Sequence, residues 1–174
     1  MTGRVSDAEL VARYRGVALD HDNKRQFEGY LHHRLLINRC LDCGHWINPP
    51  RSMCPTCWSE RVEAREVSGR GTVQWFTLLY QGAADAAPSR PYVAVVVELE
   101  EQANLRMHST MVQCAPTEIT CDMAVEVAWQ DRDGAPLPVF RPVGAAEGRV
   151  PGPPVVAVGS NVSGKRMLRK GDHG

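Results

Sequence analysis

Four cysteines stand as two Cys-x-x-Cys pairs in "RCLDCGHWINPPRSMCPTCWSE", Arg39 to Glu60: Cys40 with Cys43, then Cys54 with Cys57, ten residues between the pairs. Thiols so placed suit three chemistries: disulfides, a dithiol redox couple or a metal clamp. A thioredoxin-type couple needs a single pair in a βαβ setting, and the flanking pattern supplies none. Disulfides persist in oxidising compartments. The start, "MTGRVSDAELVARYRG", has no apolar stretch of signal-peptide length, and the most apolar run, "YVAVVVELE", is too short to cross a bilayer. The expected compartment is the cytoplasm, where thiols stay reduced.

A metal is then the chemistry that uses all four. Each Cys-x-x-Cys turn presents both sulfurs on one side of the backbone, and two facing turns complete a tetrahedral shell at roughly 2.3 Å per sulfur. Gly44 follows the first pair, where the turn favours a residue able to take positive φ. Pro55 pre-sets the second turn, and Pro49 and Pro50 punctuate the excursion between them. Trp58 stands at the place that Gly44 fills in the first pair, so that turn is expected to be strained or differently shaped. Zinc is the expected metal, and iron in a rubredoxin-like site uses the same ligands. A filled four-thiolate shell leaves no position for water, so the metal would fold a module too small to have its own core. The module reads as a zinc ribbon, and no residue of the chain is assigned a catalytic role.

The other reactive side chains read as structural. His45 lies beside a shell that is already complete. His32 and His33 are sequence neighbours at an expected helix end, where cations favour the dipole. His108 has no acid or cysteine at a telling offset. Cys114 and Cys121 lack a base, and Glu118 and Asp122 nearby would raise a thiol pKa, so both read as small buried hydrophobes. "SGRGT" (Ser68 to Thr72) lacks the Gly-Lys-Ser/Thr ending of a phosphate loop and reads as a bulge or sharp bend. "NVS" (Asn161 to Ser163) matches a glycosylation acceptor, a match by chance in a chain expected to stay in the cytoplasm.

The elements that hold these residues follow from periodicity. Residues 1–35 read as an N-terminal helical segment. Ser6 and Glu9 fit a capping box, with Leu10, Val11, Tyr14 and Val17 as a broken apolar stripe. A second helix is expected from about Asn23, placing Phe27, Tyr30 and Leu31 on one face. Residues 36–64 form the ribbon. From residue 65 to 143 the period becomes two, with strands expected in "GTVQWFTLLY", "PYVAVVVELE", "NLRMHSTMVQ", "MAVEVAW" and "LPVFR". Turn residues separate them in "QGAADAAPSRP", "EEQAN", "CAPTEITCD" and "DRDGAP". Five short strands without an intervening helix predict a small barrel. Residues 144–174, rich in Gly and Pro and ending in a basic cluster, read as a tail or an arm that orders on a partner. The predicted fold is mainly β: N-terminal helices, a rubredoxin-like zinc ribbon, then a five-stranded OB-fold barrel.

A ribbon joined to such a barrel raises nucleic-acid binding, and charge argues against it. Lys plus Arg and Asp plus Glu stand at 20 each in the 174 residues. Residues 71–143 carry four cations against nine anions, net −5, whereas tracking a phosphate backbone needs a positive groove. Residues 24–70 have eight cations and five anions, net +3, and residues 144–174 are also net +3. That modest excess suits a small phosphorylated ligand or an acidic protein surface better than a polynucleotide.

The order and spacing of these motifs resemble a known family over about residues 24–142. The helix, the Cys40/Cys43 knuckle, "PPR" (Pro49 to Arg51), the Cys54/Cys57 knuckle, "SGRGTV" (Ser68 to Val73) and the closing "PVFRP" resemble the acyl-CoA-associated zinc-ribbon OB-fold family. The resemblance implies a non-catalytic subunit that pairs with thiolase-superfamily proteins: thiolases, acyltransferases, and aldolases that shorten steroid side chains held as CoA thioesters. It implies a partner that supplies the catalytic residues, and a small subunit that helps hold the CoA arm. Phe27, Tyr30, Leu31 and Trp46 are the expected partner-facing side chains, with packing on the barrel as their other reading. No residue is assigned to CoA. No nucleic acid and no membrane are expected as partners, and the alternative function is a stand-alone nucleic-acid or regulatory module.

Overall fold

The structure, a computed structural model, describes residues 5–80 and 92–145. The predicted turn at 81–91 and all but the first two residues of the predicted tail lie outside them. Ser6 caps the first helix, α1 (Asp7–Arg13), by accepting a hydrogen bond from the Glu9 amide at 3.3 Å. The helix ends at Arg13, sooner than the apolar stripe suggested. Leu10 and Tyr14 are therefore buried, while Val11 and Val17 remain exposed. The second helix, α2 (Lys24–Tyr30), starts after Asn23 as expected and buries Gln26, Gly29 and Tyr30.

The ribbon is a three-stranded antiparallel sheet of β1 (Leu36–Cys40), β2 (Trp46–Ile47) and β3 (Val62–Glu66), in the order β2-β1-β3. Five longer strands follow: β4 (Arg70–Leu79), β5 (Tyr92–Leu99), β6 (Arg106–Thr110), β7 (Ala124–Arg132) and β8 (Ala135–Pro142). They pair antiparallel in the order β6-β5-β4-β7-β8. A parallel bridge between Met111 and Phe140, with the Val112 amide donating to the Phe140 carbonyl at 2.8 Å, brings the two edges together. This is the OB-fold arrangement, a nearly closed five-stranded barrel. Each expected strand is present.

Alternation fills the barrel. Val73, Val95, Val97, Leu99, Met107, Val125 and Phe140 point inward and join one core with Leu105 and Ile119. A register shift between Val73 and Trp75 turns Trp75 to the outer face, beside Val96 and His108. Such a bulge has no signature in "VQWF", and "SGRGT" is instead the bend that precedes it. There Gly69 takes φ 73, and a Cβ would lie 2.3 Å from Val127 Cγ1.

The helices are tied to the β7–β8 hairpin by an aromatic column. Tyr14, Phe27, Tyr30 and Trp129 follow one another at centroid distances of 4.8, 5.1 and 5.7 Å, and His33 stacks on Trp129 at 5.3 Å. The Tyr14 hydroxyl donates to the Pro136 carbonyl at 3.0 Å. The ribbon is tied to the barrel by amide side chains and by Trp46, which packs against the large core. Gln102 accepts from the Trp46 amide at 2.9 Å and donates to the Trp46 carbonyl at 3.2 Å. Among the described residues no helix is long and apolar enough to cross a membrane.

Candidate metal centre

The two Cys-x-x-Cys turns are built alike. In the first, the Cys40 amide donates to the His45 carbonyl at 2.9 Å and the Gly44 amide to the Cys40 carbonyl at 3.0 Å. In the second, Cys54 donates to Ser59 at 2.9 Å and Trp58 to Cys54 at 3.0 Å. Gly44 has φ 75 and Trp58 φ 62, so the left-handed position falls at the same place in both. The tryptophan does not change the turn; it takes the conformation that glycine takes in the first.

The four sulfurs converge between these knuckles, all within 4.8 Å of one another. Cys40 and Cys57 lie 3.5 Å apart and Cys43 and Cys54 3.6 Å. A tetrahedral metal bonded at about 2.3 Å separates its sulfurs by about 3.8 Å, whereas a disulfide holds them near 2.05 Å. The spacing therefore fits one shared cation and no covalent pairing. Cys40 and Cys54 are buried, Cys43 and Cys57 exposed. The local core is only Cys40, Cys54 and Ile47, with Val62 against it, so apolar burial alone does little to hold the knuckles.

Electrostatics point the same way. The Cys43 amide draws the Cys40 thiol down to about 6, with further help from the Asp42 amide. At Cys57 the Ser59 amide pulls the thiol down, but the sulfurs of Cys43, Cys40 and Cys54 and desolvation push it up to about 12. Four thiolates this close repel each other, and a divalent cation removes that repulsion. Around the sulfurs, Arg61 pairs with Asp42 at 2.7 Å and Ser59 donates to Asp42, which links the two knuckles. The structure thus brings together Cys40, Cys43, Cys54 and Cys57 as a structural zinc site. His45 gives the site only its backbone, the carbonyl accepting from the Cys40 amide and the amide bonding the Cys43 sulfur. Among the described residues no other His, Cys, Asp or Glu group gathers into a metal-sized cluster.

Two family domains match this architecture. Residues 27–63 match the ChsH2 rubredoxin-like zinc ribbon domain, and residues 64–130 the ChsH2 C-terminal OB-fold domain. A solved structure titled "Ltp2-ChsH2(DUF35) aldolase" superposes with TM-score 0.64 at 34% identity, over 72% of this chain and 98% of that one. The chain belongs to the ChsH2 (DUF35) zinc-ribbon OB-fold family. The benzoylsuccinyl-CoA thiolase subunit BbsA of Thauera aromatica is 35% identical over 103 residues, 57% of this chain and 68% of that protein. A probable enoyl-CoA hydratase alpha subunit of Thermomonospora curvata is 35% identical over 126 residues, 72% of this chain. The chain spans only 39% of that relative's length.

The expected partner-facing residues of this family member sit differently from its cysteines. Tyr30 is 7% exposed in the core, and Phe27, Leu31 and Trp46 are half-buried against it. Each leaves only an edge to an outside surface. Exposed aromatic area lies instead at Trp58, Trp75, Tyr80 and Tyr92. Cys114 is half-buried with its thiol pushed up by burial and Glu118, whereas Cys121 is exposed rather than buried. The Gln102 clamp had no sequence signal, since a glutamine in a polar turn looks like any other.

Proposed function

We propose that this chain is a non-catalytic subunit of a thiolase-superfamily assembly that acts on CoA thioesters. The observation that carries the reading is the 34% identity to the ChsH2(DUF35) component of an aldolase, over 98% of that component. The name of the Thauera relative, a thiolase subunit, supports the same class of assembly. Four cysteines would hold one zinc ion, which supplies a fixed cross-link between the knuckles and no reactive position. The chain's own residues then do mechanical work. The clamp on Trp46 fixes the ribbon to the barrel, and the aromatic column fixes the helices. Together they offer a partner one rigid surface, to which the remaining edges of Phe27, Leu31 and Trp46 contribute. The partner would supply the residues that make or break carbon–carbon bonds. Among such assemblies, a retro-aldol enzyme of steroid side-chain degradation is the favoured one. The compartment proposed is the cytoplasm, which keeps the four thiols reduced until metal binds.

Residues 1–35, 36–64, 65–143 and 144–174 act in this reading as helical strap, ribbon, barrel and partner-binding arm. Net charge of −5 over residues 71–143 disfavours a polynucleotide on the barrel. The test is co-expression with the thiolase-superfamily proteins of the same organism, followed by size-exclusion chromatography. Co-elution, with acyl-CoA turnover by the complex and none by the small chain alone, is the expected outcome. Separate elution at micromolar concentration, or turnover by the small chain alone, would overturn the reading.

A further inference from the structure

The second zinc knuckle carries a residue that its own fold does not need. At the equivalent turn position the first knuckle uses Gly44, at φ 75, and the second uses Trp58, at φ 62. A side chain in this left-handed region is disfavoured, and tryptophan has no local hydrogen bond that offsets it as asparagine does. The ring gains nothing from burial either. Trp58 is 74% exposed, the most exposed of the large hydrophobic side chains described, and among the described residues its indole N–H has no partner. Strain and solvent exposure thus fall on one residue for which the neighbouring turn shows a better local solution.

The surroundings indicate what meets it. From Ser52 to Ser59, "SMCPTCWS", there is no charged residue, although 23% of the chain is charged. All of this stretch is exposed except Cys54 and the half-buried Ser59. Met53 adds exposed apolar area just before Cys54, and Leu41 does so on the facing knuckle. A phosphate backbone or an anionic membrane surface would find Arg51 at the edge of this stretch and Arg61, already paired with Asp42, beyond it, too few cations to track a run of phosphates. An apolar pocket on a folded protein would find an aromatic anchor whose backbone the metal cross-link holds in place, with only two χ angles to order on docking.

We propose that Trp58, with the exposed Met53 and Leu41 on the same pair of knuckles, is an anchor that inserts into an apolar pocket of the catalytic subunit. This rests on the reading of the chain as an accessory subunit, and it names the surface through which the ribbon engages that partner.

The test exploits the strained backbone. Trp58→Gly and Trp58→Asn both suit the left-handed turn while removing the ring. Both variants are expected to keep one equivalent of metal and a thermal midpoint at or above that of the parent chain. Their affinity for the thiolase-superfamily protein that co-elutes with the parent chain, measured by biolayer interferometry, is expected to fall by at least about tenfold. Trp58→Phe is expected to recover part of it. If the parent chain does not bind, the accessory reading fails and this inference falls with it. If the parent binds and both metal-loaded variants bind equally well, the inference alone is overturned. Loss of single-stranded DNA binding in these variants, with the subunit affinity unchanged, would also overturn it in favour of base stacking.

Discussion

At Cys54 burial and ligation coincide: its sulfur is fully buried, 3.6 Å from Cys43, and accepts from the Thr56 amide at 3.4 Å. A hydroxyl in its place keeps the shape of the side chain at slightly smaller volume and loses the soft, ionisable donor that zinc selects. Four thiolates deliver roughly 10–16 kcal/mol of metal binding in small zinc modules, so removing one forfeits on the order of 3 kcal/mol if the shares are equal. Cys54→Ser is therefore expected to purify with clearly less than one equivalent of zinc by elemental analysis, while Cys121→Ser retains the full equivalent. Equal metal in both variants would separate the thiol cluster from metal binding. These four residues were legible in the sequence because ligand spacing is nearly invariant to the rest of the fold. The geometry of Trp58 was not, because sequence alone left open whether the turn would deform or the side chain would accept positive φ.

At the level of elements, alternation in "MAVEVAW" marked one strand, and the apolar β-branched run in "PYVAVVVELE" marked another, whose Val96 is buried on the face opposite Val95 and Val97. Helix length was harder, since Val11 and Val17 extend the stripe of α1 in sequence while the backbone leaves the helix at Arg13. Phe27 and Tyr30 show the same limit. A row of aromatics on a short helix has the same spacing whether its own barrel or another protein covers it. The close approach of β4 to β5 was equally hidden. A Cβ at Gly71 would sit 2.2 Å from the Glu98 carbonyl oxygen and 2.8 Å from Val97 Cγ1, with backbone on one side and the buried core on the other. Neither neighbour is the free end of a flexible chain. Gly71→Ala is expected to destabilise the barrel by about 1–3 kcal/mol, read as a lower urea midpoint at unchanged slope. A midpoint within error of the parent would mean that the two strands part without cost.

For the whole molecule, the question is how far the metal's influence extends. The core splits into two clusters: a large one spanning helices, barrel, Leu35 and Ile37, with Trp46 of the ribbon packed against it, and a small one at Cys40, Ile47 and Cys54. Between them run the Gln102 clamp and the Asn48 side-chain amide, which donates to the Arg106 carbonyl at 2.6 Å. Two such polar links contribute about 1 kcal/mol each, too little to hold the knuckles against the entropy of some 20 residues once the metal is gone. The barrel, with its own closed ladder and valine-rich interior, does not depend on them. Chelation should therefore release the segment from about residue 40 to 61 while the barrel stays folded. Native-state hydrogen exchange after metal removal is expected to show fast exchange at the Cys40, Gly44, Cys54 and Trp58 amides, and protection retained at Val95, Val97 and Val125. Simultaneous loss of protection in both regions would mean that the ribbon and the barrel form a single cooperative unit, with the metal holding the whole fold. The partitioned outcome is the one expected of two separate cores joined by Trp46 and a few amide hydrogen bonds.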